Sequence, residues 1–169
     1  MQKINFIASI QLPNRGLGYE GDLLYKISED LKNLKKLTLD QVTIMGRKTW
    51  ESLPEKFRPL PNRITIVVTS KPGLVAVSET VLTAPNPEAA LALAHELFSE
   101  KEIWILGGGD VYASLIDQAS LLCLTEVAGT KPADAFFPAF TDHFTEYSRT
   151  NHHDEKLNVD YAIVIYKRN

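Results

Sequence analysis

Residues 64–69 read Ile-Thr-Ile-Val-Val-Thr, an unbroken run of apolar and β-branched side chains. A strand with one wet face alternates polar and apolar residues. This run instead predicts a strand covered on both faces, as in a parallel sheet held between helices. Parallel neighbours need long crossover connections, usually helical, so the run constrains the whole chain. The remaining segments supply that alternation. Strands are predicted over 3–10, 42–46, 81–84, 103–106 and 121–127, and helices over 26–38, 48–53, 87–99 and 111–118. Asn86 followed by Pro87 and Glu88 is a cap signature for the third helix. Two more strands, 143–151 and 159–167, joined by the polar segment 152–158, read as an antiparallel hairpin at one edge. The expected architecture is a single α/β domain, with a mostly parallel mixed sheet of about eight strands and about four flanking helices. The 169 residues are enough for one core, and no linker or repeat divides them. Segment 11–22 carries Pro13, Asn14, Gly16, Gly18 and Gly21. Such a loop is either a connector or a mobile lid, and its length favours the lid.

A net charge of -3 and a pI near 5.8 argue against a nucleic-acid binder, while leaving room for a local phosphate pocket. Cys123 is the one cysteine and reads as a small apolar strand residue. The apolar run 4–12 is broken by Asn5, Ser9 and Gln11, and no stretch has the length of a membrane span, so no membrane role and a cytoplasmic location are expected. His95, His143, His152 and His153 lack metal-ligand spacing, and no metal site is expected. There is no Walker A loop, G-x-S-x-G elbow or Cys/His pair.

Three constellations could carry chemistry. Ile27, Leu31, Leu34 and Thr38 define an inward helix face, and Asp30 falls within that stripe, whereas Glu29, Asn33 and Lys36 fall on the polar side. A carboxylate there is costly unless it is partnered. Spacing alone leaves a functional acid and a rim residue favouring the helix dipole about equally supported. Gly46-Arg47-Lys48-Thr49-Trp50 follows a buried strand and opens a helix, an arrangement suited to phosphate or to an ordinary solvated turn. Gly107-Gly108-Gly109 lies between a strand and a helix. Three glycines in a row favour close backbone approach to a ligand over a plain turn. Tyr112 at the sixth position departs from the dinucleotide fingerprint, and the spacing of Glu126 from it reads as coincidence. Arg58 and Arg63 frame Pro59-Leu60-Pro61-Asn62. Arg63 could reach an anionic tail, with exposure as the default.

Taken in order along nearly the whole chain, these segments resemble the dihydrofolate reductase family. The match runs through Ile7-Ala8-Ser9, Asn14-Arg15-Gly16-Leu17-Gly18, Ser28-Glu29-Asp30-Leu31-Lys32 and Ile44-Met45-Gly46-Arg47-Lys48-Thr49-Trp50-Glu51-Ser52-Leu53. It continues through Arg58-Pro59-Leu60-Pro61-Asn62-Arg63, Leu106-Gly107-Gly108-Gly109-Asp110-Val111-Tyr112, Leu124-Thr125, and Asp134 with Phe137-Pro138. The resemblance implies NADPH-dependent reduction of 7,8-dihydrofolate to tetrahydrofolate, serving one-carbon metabolism. It also implies sensitivity to antifolate inhibitors and a monomer.

It further implies that Asp30 grips the N3 and 2-amino edge of the pterin with Thr125 behind it, and that Tyr25 and Leu23 complete the catalytic set. Ile7, Ala8, Leu31, Leu34, Leu53, Arg58 and Leu60 would line the substrate site, with Arg63 on the glutamate carboxylate. The cofactor would be held by Ala8, Ser9, Leu17, Gly18, Gly46, Arg47, Lys48, Thr49, Thr69, Ser70 and Lys71, and by Leu106, Gly107, Gly108, Gly109, Asp110, Val111 and Tyr112. The Gly107-Gly108 bond would be cis, residues 17–23 the lid, and Asp134 the lid's stabilising partner. The chain departs from the pattern at Tyr25 (usually Trp), at Leu24 (usually Pro), at Asp110 (Arg in some members), and by one extra residue near 11–13. A pyrimidine reductase on the same fold and a non-catalytic binder are the competing readings. The former would not need Asp30 or Arg63, and the latter would read Tyr25 and Asp110 as marks of a decayed site.

Overall fold

The computed structural model describes residues 2–169, and in it the strand-and-helix alternation becomes one mixed sheet. The chain runs β1 (Ile4–Leu12), β2 (Gly16–Tyr19), β3 (Asp22–Leu23), α1 (Ser28–Thr38), β4 (Val42–Gly46), α2 (Arg47–Ser52), β5 (Ile64–Val68) and β6 (Val81–Ala84). It continues with α3 (Pro87–Leu97), β7 (Ile103–Gly107), α4 (Gly109–Leu115), β8 (Leu121–Ala128), β9 (Ala135–Phe136), β10 (Phe144–Asp154) and β11 (Val159–Arg168). Single 3-10 turns occupy Glu55–Phe57, Pro72–Leu74 and Ile116–Gln118. The main sheet has the order β10-β11-β8-β1-β7-β4-β5-β6. Strands β8, β1, β7, β4, β5 and β6 run parallel to one another, β11 pairs antiparallel with β8, and β10 antiparallel with β11. Among the described residues no helix is long and apolar enough to cross a membrane.

The run that opened the sequence reading behaves as its composition demands. Ile66 and Val67 are both fully buried, yet they enter different clusters. Ile66 packs with Ala90, Leu91 and Ala94 of α3 and with Val111 and Leu115 of α4. Val67 faces the other way, with Met45, Trp50 and Leu60. Asn86 caps α3 as expected, its Oδ1 accepting from the Ala89 amide at 2.7 Å.

Three local expectations change. Segment 11–22 is not an open loop: β2 and β3 form a small hairpin whose turn, Glu20-Gly21, has positive φ at both residues (51° and 83°), the geometry a tight two-residue connection needs. The first helix begins at Ser28, because Ile27 remains extended and buried beneath it. Its inward stripe is also rotated. Leu31 is half exposed, whereas Asn33 turns towards the sheet and reaches Cys123 Sγ at 3.6 Å. Leu34 and Leu37 pack there with Ile7, Trp104 and Cys123, so the buried arc runs through 27, 30, 34 and 37–38, and Leu31 lies on its flank.

Candidate active site

Alternation along β1 and β8 decides what meets helix α1. Ile7 pairs with Cys123 and Ser9 with Thr125, so Cys123, Thr125 and Val127 point to the α1 side while Leu122, Leu124 and Glu126 point to the other. The Thr125 hydroxyl donates to Asp30 Oδ1 at 2.7 Å. That is the one side-chain partner the carboxylate has among the described residues. Burial pushes the Asp30 carboxyl above its usual range, and the Thr125 bond opposes the shift only in part. Asp30 also acts at a distance: burial foremost, and the carboxylate second, push the Tyr112 hydroxyl far up, while that hydroxyl donates to Ile7 O at 2.6 Å. Burial likewise raises the Cys123 thiol to about 11, which leaves it an inert wall.

The other end of α1 carries the opposite charge. Arg63 is 7% exposed, which corrects the default expectation of a solvated arginine. Its Nε donates to Thr38 Oγ1 at 3.1 Å and its terminal nitrogens donate to the Pro61 and Lys35 carbonyls. Asp30 and Thr38 are eight residues apart on one helix, so their backbones lie about 12 Å apart along its axis, with the Arg63 guanidinium held at the Thr38 end. Half-exposed Leu31, partly buried Leu34 and Leu53, and buried Ile7 and Leu60 occupy the elements between and beside them. Leu106 packs against both the Leu60 and the Ile7 clusters and joins the two walls. Arg58 follows the 3-10 turn with its Nε buried and unpaired among the described residues.

Parallel pairing of β4 with β5 and β7 brings the strand-to-helix turns together at the carboxyl ends, where open α/β sheets bind ligands. The Gly107-Gly108 peptide is cis. An added Cβ on Gly46 would stand 3.7 Å from Gly108 N, and one on Gly108 would stand 3.6 Å from Thr49 Oγ1. Side chains there would fill the notch that glycine keeps open. Arg47 beside it is held by Glu51 at 2.7 Å, Lys48 is exposed, and Thr69 Oγ1 accepts from the Lys71 amide at 2.9 Å beneath exposed Ser70. Asp110, in the first turn of α4, is exposed, whereas Val111 and Tyr112 are buried against the sheet. A notch bounded by main chain, one hydroxyl and Arg47 and Lys48 has the chemistry to hold a polyphosphate-bearing cofactor.

Leu17 is buried in the main cluster, Ala8 beside it, and Ser9 is partly exposed. Gly18 O accepts from the Asp134 amide at 2.9 Å, and Asp134 Oδ2 accepts from the Glu20 amide at 3.0 Å, so Asp134 holds the β2–β3 hairpin. Leu23 on that hairpin is 55% exposed. Tyr25 is buried, and its hydroxyl donates to Gln11 Oε1 at 2.7 Å. Gln11 and Lys131 join this contact, and no motif in the sequence marks either of them. The alternation of β1 carried the only signal, since Gln11 shares the inward parity of Ile7 and Ser9.

Sheet, strand-end notch and partly buried helix carboxylate together define an α/β protein with a ligand site at the carboxyl ends of its strands. The family model for dihydrofolate reductase matches residues 3–168. Among relatives, the chain is similar to the dihydrofolate reductase of Neisseria meningitidis, 38% identical over 169 residues and 99% of each chain. It is also similar to that of Aedes albopictus, 35% identical over 156 residues, which are 85% of this chain and 83% of the other. A third relative is the bifunctional dihydrofolate reductase-thymidylate synthase 1 of Arabidopsis thaliana, 34% identical over 137 residues, which are 73% of this chain and 26% of that protein. The chain belongs to the dihydrofolate reductase family.

Proposed function

We propose that this chain reduces 7,8-dihydrofolate to 5,6,7,8-tetrahydrofolate with NADPH. The observation that carries the reading is Asp30: a partly buried carboxylate with one hydroxyl partner, while Arg63 is held at Thr38, eight residues and about 12 Å of helix further on. A pterin with an amidine-like edge at one end and a glutamate at the other matches that spacing and both charges.

Asp30 takes the N3 and 2-amino edge of the pterin in a paired, charge-assisted contact, and Thr125 fixes the orientation of the carboxylate. The negative charge, once the bound ring covers it, raises the basicity of the ring that must accept a proton at N5. Leu31, Leu34, Leu53 and Leu60 exclude water around the rest of the substrate, Arg63 takes its tail carboxylate, and Arg58 stands nearby. Gly46, Thr49, Gly107, Gly108, Thr69, Ser70 and Lys71 would hold the NADPH phosphates, with Arg47 and Lys48 supplying charge and Leu17–Leu23 covering the nicotinamide. When bound there, NADPH supplies the hydride for C6. The same reading makes the protein a cytoplasmic monomer that binds antifolate inhibitors at Asp30.

The experiment is the loss of NADPH absorbance on addition of dihydrofolate. Dihydrofolate-dependent oxidation by the purified chain is expected, and its absence in folded protein overturns the reading.

A further inference from the structure

Segment 128–137 grips the β2–β3 hairpin at two places. The distal grip is the Asp134 contact to Gly18 and Glu20, together with the pairing of β9 to β2. The proximal grip holds Tyr25 through Gln11, Gly129 and Lys131, three residues to which the family resemblance gives no role. Its centre is Gln11, 2% exposed. Gln11 Oε1 accepts from the Tyr25 hydroxyl at 2.7 Å and from the Lys131 amide at 2.9 Å. Its Nε2 donates to the Lys131 carbonyl at 3.0 Å and to Asn14 Oδ1 at 3.3 Å. Both lone pairs and both N–H groups of the carboxamide are therefore used, and no other side chain of this size has that inventory. Because a backbone N–H can only donate and a carbonyl can only accept, the partners themselves set which way round the amide lies.

Lys131 closes the arrangement from outside. Its Nζ donates to Leu24 O at 2.8 Å and lies 4.5 Å from the centre of the Tyr25 ring. Gly129 lies flush against the same ring: an ideal Cβ there would stand 1.8 Å from the Tyr25 hydroxyl and 3.1 Å from Gln11 Oε1. Its φ is not in the left-handed region, so what glycine supplies here is space. Leu24 and Tyr25 form the root of the hairpin, where it joins α1.

We infer that Gln11 and Lys131 are positioning residues for the reduction, clasping Leu24–Tyr25 so that the hairpin lies in one place over the reacting atoms. The inference rests on the dihydrofolate reductase reading for its kinetic consequence only. Asp30 is tied separately to Thr125, and Ile27 is buried in its own right, so loosening the clasp frees the hairpin root and leaves the substrate's anchors where they are. The loss therefore falls on kcat, through the geometry over the reacting atoms, while the KM for dihydrofolate holds.

Lys131→Met keeps the stem and main-chain bonds of this largely exposed residue and removes the ammonium, so it leaves the fold intact. One charge-assisted hydrogen bond corresponds to about tenfold, so kcat is expected to fall roughly five- to tenfold with KM for dihydrofolate within about twofold. Amide hydrogen exchange, read without substrate or cofactor, supplies the second measurement. The Leu24 amide, bonded to Leu17 O at 3.4 Å, should exchange about tenfold faster, while the Glu20 amide at the distal grip stays within about twofold. Lys131→Arg should restore both readouts. Gly129→Ala, which evicts the Tyr25 hydroxyl, should reproduce the same split. An unchanged Leu24 amide, faster exchange spread evenly over the chain, or a raised KM at constant kcat overturns the clasp. Should the wild-type chain not reduce dihydrofolate, the reduction reading fails, and the exchange pattern still decides whether the clasp exists.

Discussion

Two acidic side chains meet opposite faces of β8, and their surroundings differ in one respect that separates function from architecture. Glu126 points away from α1. Its side chain is 4% exposed, and it is fully partnered, with one oxygen 3.0 Å from Arg149 and the other accepting from the Tyr166 hydroxyl. Asp30 reaches the other face through the neighbouring residue, Thr125, and receives a single hydroxyl bond. Glu126 is buried and Asp30 partly so, and each carboxylate loses water at a cost that only partners offset. Glu126 has its partners within the chain. Asp30 is left short of them, and its raised carboxyl registers the deficit. A buried acid whose missing partner is a ligand is a binding group; one whose partners are internal is part of the frame.

The largest effect that could break this comparison belongs to Asp30→Asn. Turnover at neutral pH should fall by about a hundredfold or more, with partial recovery in acid as the pterin becomes pre-protonated. The same variant should be more stable than wild type without ligand. Between the usual carboxyl value of 3.8 and its raised position in the fold, the folded chain holds a proton that the unfolded chain has released. Stability therefore falls as pH rises through that window and stays lower above it, and Asn abolishes the slope. Thermal melts across pH check the sign, and a destabilised Asn variant at neutral pH would contradict it.

Arg47 sharpens the contrast from the cation side, because its one acidic partner, Glu51, is a partly exposed neighbour four residues on. Arg47→Ala should weaken NADPH by about tenfold and NADH little, since only NADPH carries a 2′-phosphate for the arginine to meet. Fluorescence titration with both cofactors reads the difference. Glu126→Gln should cost about 1–2 kcal/mol in urea unfolding, a modest figure because Arg149 is 36% exposed and keeps Glu146, and kcat should not change. A catalytic defect there would erase the distinction between the two acids. The smallest effect belongs to Thr125→Val. With its one lowering contact gone, Asp30 should titrate still higher, moving the acidic limb of kcat/KM upward while the fold is retained.

Much of this frame is legible in the chain. The 64–69 run, the hairpin at 143–167, the Asn86 cap and the glycine turns all follow from local chemistry, and each lies close to where its residues place it. Asp30 is legible as an anomaly, an acid on an inward stripe. The same periodicity misjudged Leu31 and Asn33, because a stripe three residues wide does not say where on the helix the sheet will press. Arg63 illustrates a different limit. Its burial depends on the Lys35 and Pro61 carbonyls and the Thr38 hydroxyl, which converge only when α1 ends against the start of β5. The β2–β3 hairpin was hidden for a related reason: its strands are two to four residues long and owe their pairing to β1 and β9.

What the sequence determined by itself is the architecture and the chemical vocabulary of the site. Burial on both faces, crossover helices and glycine turns are properties of short stretches, and short stretches carry their own physics. Only the tertiary structure decided which groups are short of a partner. Parity along β8 sends Thr125 to Asp30 and Glu126 to Arg149, and parity along β1 puts Gln11 beneath Tyr25. Whether a buried polar group is satisfied depends on atoms 14 to 120 residues away in the chain, which no local window contains.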